Sequence, residues 1–461
     1  MAGLFQTLDI GRRALLANQA CLNTVGHNIA NVDTPGYSRQ RVNISATYPL
    51  QTTQGVLGTG VDVTDIKHIR DLFLGQQYRQ ENKSLGQWSY KEKIYSQIET
   101  MFNEPNDNTL SDRLNAFWES WSALSTYEGT RENILAEAER LTNGFHELSS
   151  ELTRLQESLD EDIVNVTEQV NMITTEIAML NNQIKSQELG GTHANDLRDR
   201  RDLLLDELST LIDVNSVEQA NGDLTVYMGS MSIVNGPESI RVGTKLVNID
   251  GVPTHKLVWE GTSVELVNKN GQLKGLIDSR DKIVPKYMDE LNTLARTIVE
   301  QVNAIHVTGY GANGSTGVNF FDPDCVEAHN ICISAEILHD PSRIAASASG
   351  EEGDQETAVA ISKLRDTGVL ENGTLSITEY YNSMVGALGV KSREAQSFAS
   401  NFDLLTQQIS NSRESVQGVS LDEEMTNMVK YQQAYEAAAR VITAIDEALD
   451  TVISGMGIVG R

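Results

Sequence analysis

The sequence predicts a mostly α-helical chain with inserted β structure. The expected form is an elongated multi-domain rod: terminal helices pairing as a coiled coil, a long helical bundle, and a small β domain at the distal tip. Three observations predict it. Heptad-spaced stripes run through both chain ends. A stripe of large apolar side chains runs unbroken from Phe145 to Ile184. Composition then turns to Val, Gly, Asn and Thr over residues 213–275.

The N-terminal stripe comprises Leu4, Leu8, Gly11, Leu15, Asn18, Leu22, Val25, Ile29 and Val32, at alternating spacings of four and three. A helix at a chain end has no core of its own. Its partner must come from far along the sequence or from another subunit. The segment Asn31-Val-Asp-Thr-Pro-Gly36 stops the helix. Pro35 lacks an amide donor and pushes Thr34 out of the helical region, and Gly36 suits a positive φ. From Tyr37 to about Ile66 the chain is expected to be extended, with Val61 and Val63 alternating with polar residues.

Helices are expected from about Asp71 to Ile212, with Phe117, Trp118 and Trp121 as core. The long stripe runs through Leu148, Leu152, Leu155, Leu159, Ile163, Val166, Val170, Ile173, Ile177 and Leu180. At about 1.5 Å per residue it makes a rod of roughly 60 Å. Gly190-Gly191 ends it, and a helix from Asp196 to Leu211 can fold back along it. In the β region, turn pairs stand at Asn221-Gly222, Asn235-Gly236, Asp250-Gly251 and Asn270-Gly271.

Helix is expected again from about Pro285 to Val307, followed by a mixed, Gly-rich stretch over 309–355. Capping boxes at Ser376-Ile-Thr-Glu379 and Ser420-Leu-Asp-Glu423 open two further helices, the first reaching about Arg413. The last helix carries a seam of Met428, Gln432, Tyr435, Ala439, Ile442, Asp446, Leu449, Ile453 and Met456. The expected domains are 1–36 with 420–461 as the terminal assembly unit, 37–212 with 276–419 as the rod, and 213–275 as the β domain. With the β domain taken as the turning point, both termini fall at one end.

The formal net charge of -28, from 64 acidic against 36 basic residues, disfavours nucleic acid and anionic lipid as partners. The ends differ in sign. Residues 1–43 set Arg12, Arg13, Arg39 and Arg41 against Asp9 and Asp33, whereas residues 420–461 carry an acidic excess. The two ends therefore attract weakly. No apolar run is long enough to span a bilayer, so no membrane insertion is expected. The first residues also lack the pattern of a cleavable signal peptide. A cytosolic protein, or one exported without such a signal, is expected.

Phosphate-binding loops and the nucleophile elbow are absent, so no enzyme and no cofactor is expected. Cys325, His329, Cys332 and His339 offer zinc-type ligands without the usual Cys-x2-Cys knuckle. Two free thiols are expected over a disulfide or a metal site.

The stretch His27-Asn-Ile-Ala-Asn-Val-Asp-Thr-Pro-Gly-Tyr37 resembles the signature of the axial proteins of the bacterial flagellum: rod, hook and hook-associated proteins. Ser38-Arg39-Gln40 narrows the resemblance to the hook-associated protein 1 (FlgK) family. So do Gly418-Val-Ser-Leu-Asp-Glu-Glu-Met-Thr-Asn-Met-Val-Lys-Tyr-Gln-Gln-Ala-Tyr435, then Ala437-Ala-Ala-Arg-Val-Ile-Thr443, and Ala194-Asn-Asp-Leu-Arg-Asp-Arg-Arg-Asp202.

The resemblance implies an extracellular structural subunit at the hook–filament junction, self-assembling as a helical layer. Its implied neighbours are hook protein on one side and hook-associated protein 3 (FlgL type) on the other. Export would use the flagellar type III apparatus, with an FlgN-type chaperone on the C-terminal helix. The expected assembly residues are Leu4, Leu8, Leu15, Leu22, Val25, Ile29 and Val32 with Met428, Tyr435, Ala439, Ile442, Leu449, Ile453 and Met456. The expected turn residues are Asn28, Asn31, Thr34, Pro35, Gly36 and Tyr37. The terminal stripes are expected to be unfolded in the free chain and to order on assembly, with Asn18, Gln432 and Asp446 fixing register. The alternatives are another hook- or rod-like axial subunit, or a secreted coiled-coil adhesin or effector acting through its β domain.

Overall fold

The computed structural model describes residues 2–52, 55–102, 109–219, 221–249 and 251–456, and the side chains of most of them. Helix α1 spans Ala2–Ala30. A ribbon follows, of β1 (Gln40–Ala46) paired antiparallel with β4 (Val61–His68), and a small hairpin of β2 (Leu50–Thr52) and β3 (Gly55–Leu57) extends from it. Next come α2 (Leu72–Phe102), α3 (Leu110–Ser125), α4 (Arg131–Glu188) and α5 (Asn195–Leu211).

The β region holds a four-stranded antiparallel sheet of β5 (Val214–Glu218), β6 (Leu224–Met228), β7 (Met231–Asn235) and β8 (Glu238–Ser239). Beside it lies a hairpin of β9 (Val242–Ile249) and β10 (Val252–Trp259). The turn at Asp250-Gly251 falls partly outside the described residues. Helices α6 (Gln272–Asp278), α7 (Val284–His306), α8 (Ala335–His339), α9 (Glu356–Lys363), α10 (Ile377–Gln417) and α11 (Leu421–Met456) complete the chain.

The spine is α4, whose 58 residues span about 87 Å. Every apolar residue of the expected stripe is buried, and burial continues upstream through Ile134, Ala138 and Leu141. Thr130 caps its start, its side chain accepting the Asn133 N–H at 3.3 Å. Around this spine the chain makes several passes. It runs outward along α2, through α3, back along α4, outward again along α6 and α7, and home along α10.

Helices α2 and α10 lie antiparallel, as three contacts show. Trp88 stacks on Phe398 at 4.5 Å, Phe102 meets Tyr381 at 6.4 Å, and the Arg413 guanidinium sits 4.5 Å over Tyr78. Gly86 permits the crossing of α2 and α5, since a Cβ there would sit 2.1 Å from the Thr210 carbonyl oxygen.

The β region is not at the tip. Its strands lie along the C-terminal half of α4. The Asn171 amide clasps the Val242 backbone, donating to its carbonyl and accepting its N–H, both at 2.8 Å. Asn181 donates to the carbonyls of Leu224 (2.9 Å) and Gly236 (2.7 Å). That half of α4 is the end nearest the chain termini. The far end is built instead from α3, the start of α4 and residues 307–370. There Phe117, Trp121, His306, Phe320 and Phe321 form an aromatic cluster. The expectation failed because sequence midpoint was equated with spatial extremity, whereas α4 brings the chain home before the β insertion begins.

Helix begins ahead of Pro285, not at it. A π-helical turn, Ser279–Ile283, links α6 to α7. Its i→i+5 bond from Val284 N–H to the Ser279 carbonyl lets the chain reach Pro285, which has no N–H to donate. The turn directs buried Arg280 to the Asp160 carboxylate (2.5 Å) and the His255 carbonyl (2.7 Å), joining α4 and β10 to the link between α6 and α7.

Ser376 and Glu379 form the reciprocal capping box. At Ser420 only half forms: its hydroxyl faces the Glu423 N–H at 3.5 Å, and the Glu423 carboxylate goes to Arg39. The ribbon was expected within the rod domain. It instead runs beside α1, with Asp62 paired to Arg13 at 2.7 Å and a Gly60 Cβ position 3.4 Å from the Ile10 backbone.

Candidate functional site: the joint where both chain ends meet the rod

Helices α1 and α11 lie antiparallel. A Cβ on Gly11 would meet Ile442 at 3.0 Å, Cys21 lies against Tyr431, and Asn28 donates to Glu424 at 3.1 Å. On α1, Val25 is buried, and Leu4, Leu8, Leu15, Leu22 and Ile29 are half-buried, as is Val32 in the turn that follows. A second row, Ala17, Cys21, Thr24 and Asn28, is more deeply buried. A heptad reading sees one seam, but α1 has two neighbours, α11 and the ribbon.

On α11, Met428, Tyr435, Ala439, Ile442 and Leu449 are half-buried. Gln432 and Asp446 are exposed, and Ile453 is 70% exposed. The Met456 side chain lies outside the described residues. The expected seam was half in phase. Positions 428, 435, 442 and 449 belong to two possible stripes. The stripe that packs adds Glu424, Tyr431, Ala438 and Ile445, which puts apolar groups where the other would place Gln432 and Asp446. Those two therefore set no register within this chain, and Asn18 turns back to the Ala14 carbonyl of its own helix at 2.8 Å.

Asn28, 1% exposed, holds the joint together. Its amide donates to the Gln40 carbonyl (3.0 Å) and to Glu424 Oε2 (3.1 Å). Its Oδ1 accepts the Tyr37 hydroxyl (2.7 Å) and the Gln40 N–H (2.9 Å). One side chain thus ties α1 to the turn, to β1 and to α11, with all of its hydrogen-bonding capacity used.

Arg39 adds a fork, with one arm on Glu423 and the other on buried Glu424, both at 2.7 Å. The Arg39 N–H donates to the Gln417 carbonyl at 2.8 Å, so the outgoing and returning strands are bonded where they pass. Burial pushes the Tyr37 phenol above its usual range, reinforced by the carboxylates of Asp196, Asp199 and Glu424. Tyr37 therefore stays a donor to Asn28.

The turn itself is built locally. Asn31 donates to the His27 carbonyl at 3.0 Å and accepts the Thr34 hydroxyl at 3.1 Å. Pro35 is exposed at its apex. Gly36 has φ +77°, and a Cβ there would lie 3.1 Å from Leu203 on α5. The start of α5 receives the turn. Asp199 accepts the Ser38 N–H at 2.8 Å and contacts His68 Nδ1 at 2.7 Å, and Asp196 accepts Gln40 Nε2 at 2.7 Å. Beneath the turn, a polar cleft of about 640 Å³ is bounded by Pro35, Arg70, Tyr78 and Arg413.

Sequence reasoning named the turn residues without their partners. It missed the roles of Arg39, His68 and Glu424. The charge asymmetry of the two ends was the available signal for the Arg39 pairs.

The four possible zinc ligands do not assemble. Among the described residues, Asp322, Cys325 and Cys332 come within 4.8 Å of one another, and His329 turns to Glu327 at 3.3 Å. No described helix is long and apolar enough to cross a membrane.

The chain is thus a helical rod whose two terminal helices return to one turn. The sequence profile of the flagella basal body rod protein matches residues 8–37, and that of the flagellar basal body rod FlgEFG protein C-terminal region matches residues 413–455. Between them, the flagellar hook-associated protein FlgK helical domain matches residues 95–321. Over 507 aligned residues spanning the whole of both chains, the sequence is 32% identical to flagellar hook-associated protein 1 of Bacillus subtilis. It is 23% identical to flagellar hook-associated protein 1 of Escherichia coli, over 95% of this chain and 98% of that one. The flagellar hook junction protein FlgK from Burkholderia pseudomallei shares the fold, with a TM-score of 0.65 and 15% identity over 73% of this chain and 100% of that one.

The chain belongs to the flagellar hook-associated protein 1 family. It is a structural subunit of the flagellar axis.

Proposed function

We propose that the α1–α11 pair, locked to the rod through Asn28, is the unit by which copies of this chain pack head-to-tail into a helical layer. The observation that carries this is the apolar surface the pair leaves uncovered: Phe5, Leu16, Met425, Val429, Val441 and Ile453 all face outward. Neighbouring copies would cover it. The residues of both seams, Leu4 to Val32 and Met428 to Met456, are the proposed assembly residues.

In this reading hook protein lies on one side of the layer and hook-associated protein 3 on the other. An FlgN-type chaperone holds α11 before export through the flagellar type III apparatus. The protein is not an enzyme. The rod and β region form the outer body, separate from the terminal unit. Folding of the ends is coupled to assembly, because two isolated helices are marginal in water and gain most from neighbours.

Removal of residues 425–461 tests the proposal. The truncated chain is expected to remain a folded, soluble rod that fails to bind isolated hooks. Truncated protein that still caps hooks would overturn it. Amide exchange on the free chain tests the coupling separately: residues 4–32 and 425–453 should exchange fast, and strong protection there would refute it.

A further inference from the structure

At the far end of the rod, the Cys325 and Cys332 sulfurs and an Asp322 carboxylate oxygen lie within 4.8 Å of one another. The loop that carries them is held at its base. Asp322 N–H donates to the Cys332 carbonyl at 2.9 Å, and Cys325 N–H donates to the Asp322 carbonyl at 3.1 Å. Phe321 bridges to Ile333, and the Asn303 side chain clasps the Phe321 backbone with two bonds of 2.9 Å. Both cysteines are half-exposed, so a dissolved reagent can reach them. The third cysteine, Cys21, is buried against Tyr431.

We propose that Cys325 and Cys332 are a redox clasp: a dithiol in a reducing compartment that closes to an intramolecular disulfide in an oxidising one. Closing it ties residues 326–331 into a covalent ring on a base the fold already holds.

Closure needs a low-molecular-weight disulfide as oxidant. One of the two cysteines, as its thiolate, attacks one sulfur of the oxidant, forming a mixed disulfide and releasing one thiolate, which takes up that cysteine's proton. The other cysteine, within 4.8 Å, then gives up its proton and attacks the first cysteine's sulfur, expelling the second thiol. Two protein thiols are oxidised by two electrons, and one external disulfide is reduced to two thiols. A zinc site is the weaker reading, because two thiols and one carboxylate leave a tetrahedral ion short of a ligand and His329 is turned away.

The test uses the full chain, reduced, freed of reductant, equilibrated with oxidised glutathione and then alkylated. The expected product is lighter by two hydrogens, keeps one alkylatable thiol at Cys21, carries no glutathione, and yields a cross-linked peptide containing both Cys325 and Cys332. Cys21→Ser should not change closure. Cys332→Ser and Cys325→Ser should each abolish the cross-linked peptide and leave a glutathione adduct, or a free thiol, on the remaining cysteine. In the closed form, amide exchange over 326–331 should slow by a factor on the order of ten. Three thiols still alkylatable after oxidation, disulfide-linked dimers, or stoichiometric zinc protecting both thiols would each overturn the proposal. None of these readouts depends on the assembly reading.

Discussion

Truncating Asn28 to Ala should disable the joint while leaving the rod intact. The side chain makes four hydrogen bonds, of 2.7 to 3.1 Å, at a position 1% exposed. Its removal strands the Gln40 N–H and carbonyl, the Tyr37 hydroxyl and one oxygen of Glu424, a residue itself 1% exposed. At about 1 kcal/mol for each neutral bond and somewhat more for the charged one, the loss is about 4 kcal/mol. That corresponds to roughly a thousandfold in an equilibrium constant. The assay is binding of purified protein to isolated hooks, followed by sedimentation. The half-saturating concentration should rise by about that factor, while the thermal transition of the rod stays in place. Asn28→Asp makes the comparison sharper. It keeps the size but sets a carboxylate against Glu424, so it should do at least as much harm. Asn28→Ala protein that binds hooks at the wild-type concentration would refute the assignment of Asn28 as the tie between the two ends.

Three other outcomes can be measured. Burial holds His306 down at about 4, against an ordinary 6.5, and its Nε2 accepts the Ala345 N–H at 2.9 Å. As pH falls from 6.5 to 4 the unfolded chain takes up this proton before the folded one, so stability present above pH 6.5 is lost through that window. The loss is about 3 kcal/mol, read as a falling urea midpoint with tryptophan fluorescence, and His306→Asn should flatten the slope. Gly36→Ala should cost about 1–2 kcal/mol at the turn for its φ of +77°, with added strain against Leu203, and should weaken hook binding without melting the rod. Arg280→Ala should destabilise the body by about 3–5 kcal/mol in urea, because it leaves Asp160 largely buried with its arginine partner gone.

Periodicity made α4 legible in the sequence, because each apolar residue of its stripe faces one continuous core and no competing phase exists. It succeeded only half way on α11, where two stripes share Met428, Tyr435, Ile442 and Leu449, and only the partner helix selects between them. The position of the β region was illegible for another reason. Nothing in residues 213–275 reports that Asn171 and Asn181, some distance upstream on α4, hold it beside the proximal half of the rod. At the joint, residue types were visible and bonds were not. Asn28 sits within a stretch whose resemblance to axial proteins could be seen, but its four partners come from three elements, one of them at the other end of the chain.

The bond from Arg39 N–H to the Gln417 carbonyl marks the place where the chain enters and leaves the body. A domain hung on one linker can swivel about it. Here two covalent strands run side by side and are stitched together, so the connection resists twist as a double cable does and divides any pull between its strands. The terminal helices and the body can therefore turn only together. The stiffness comes from threading the polypeptide through one narrow place twice.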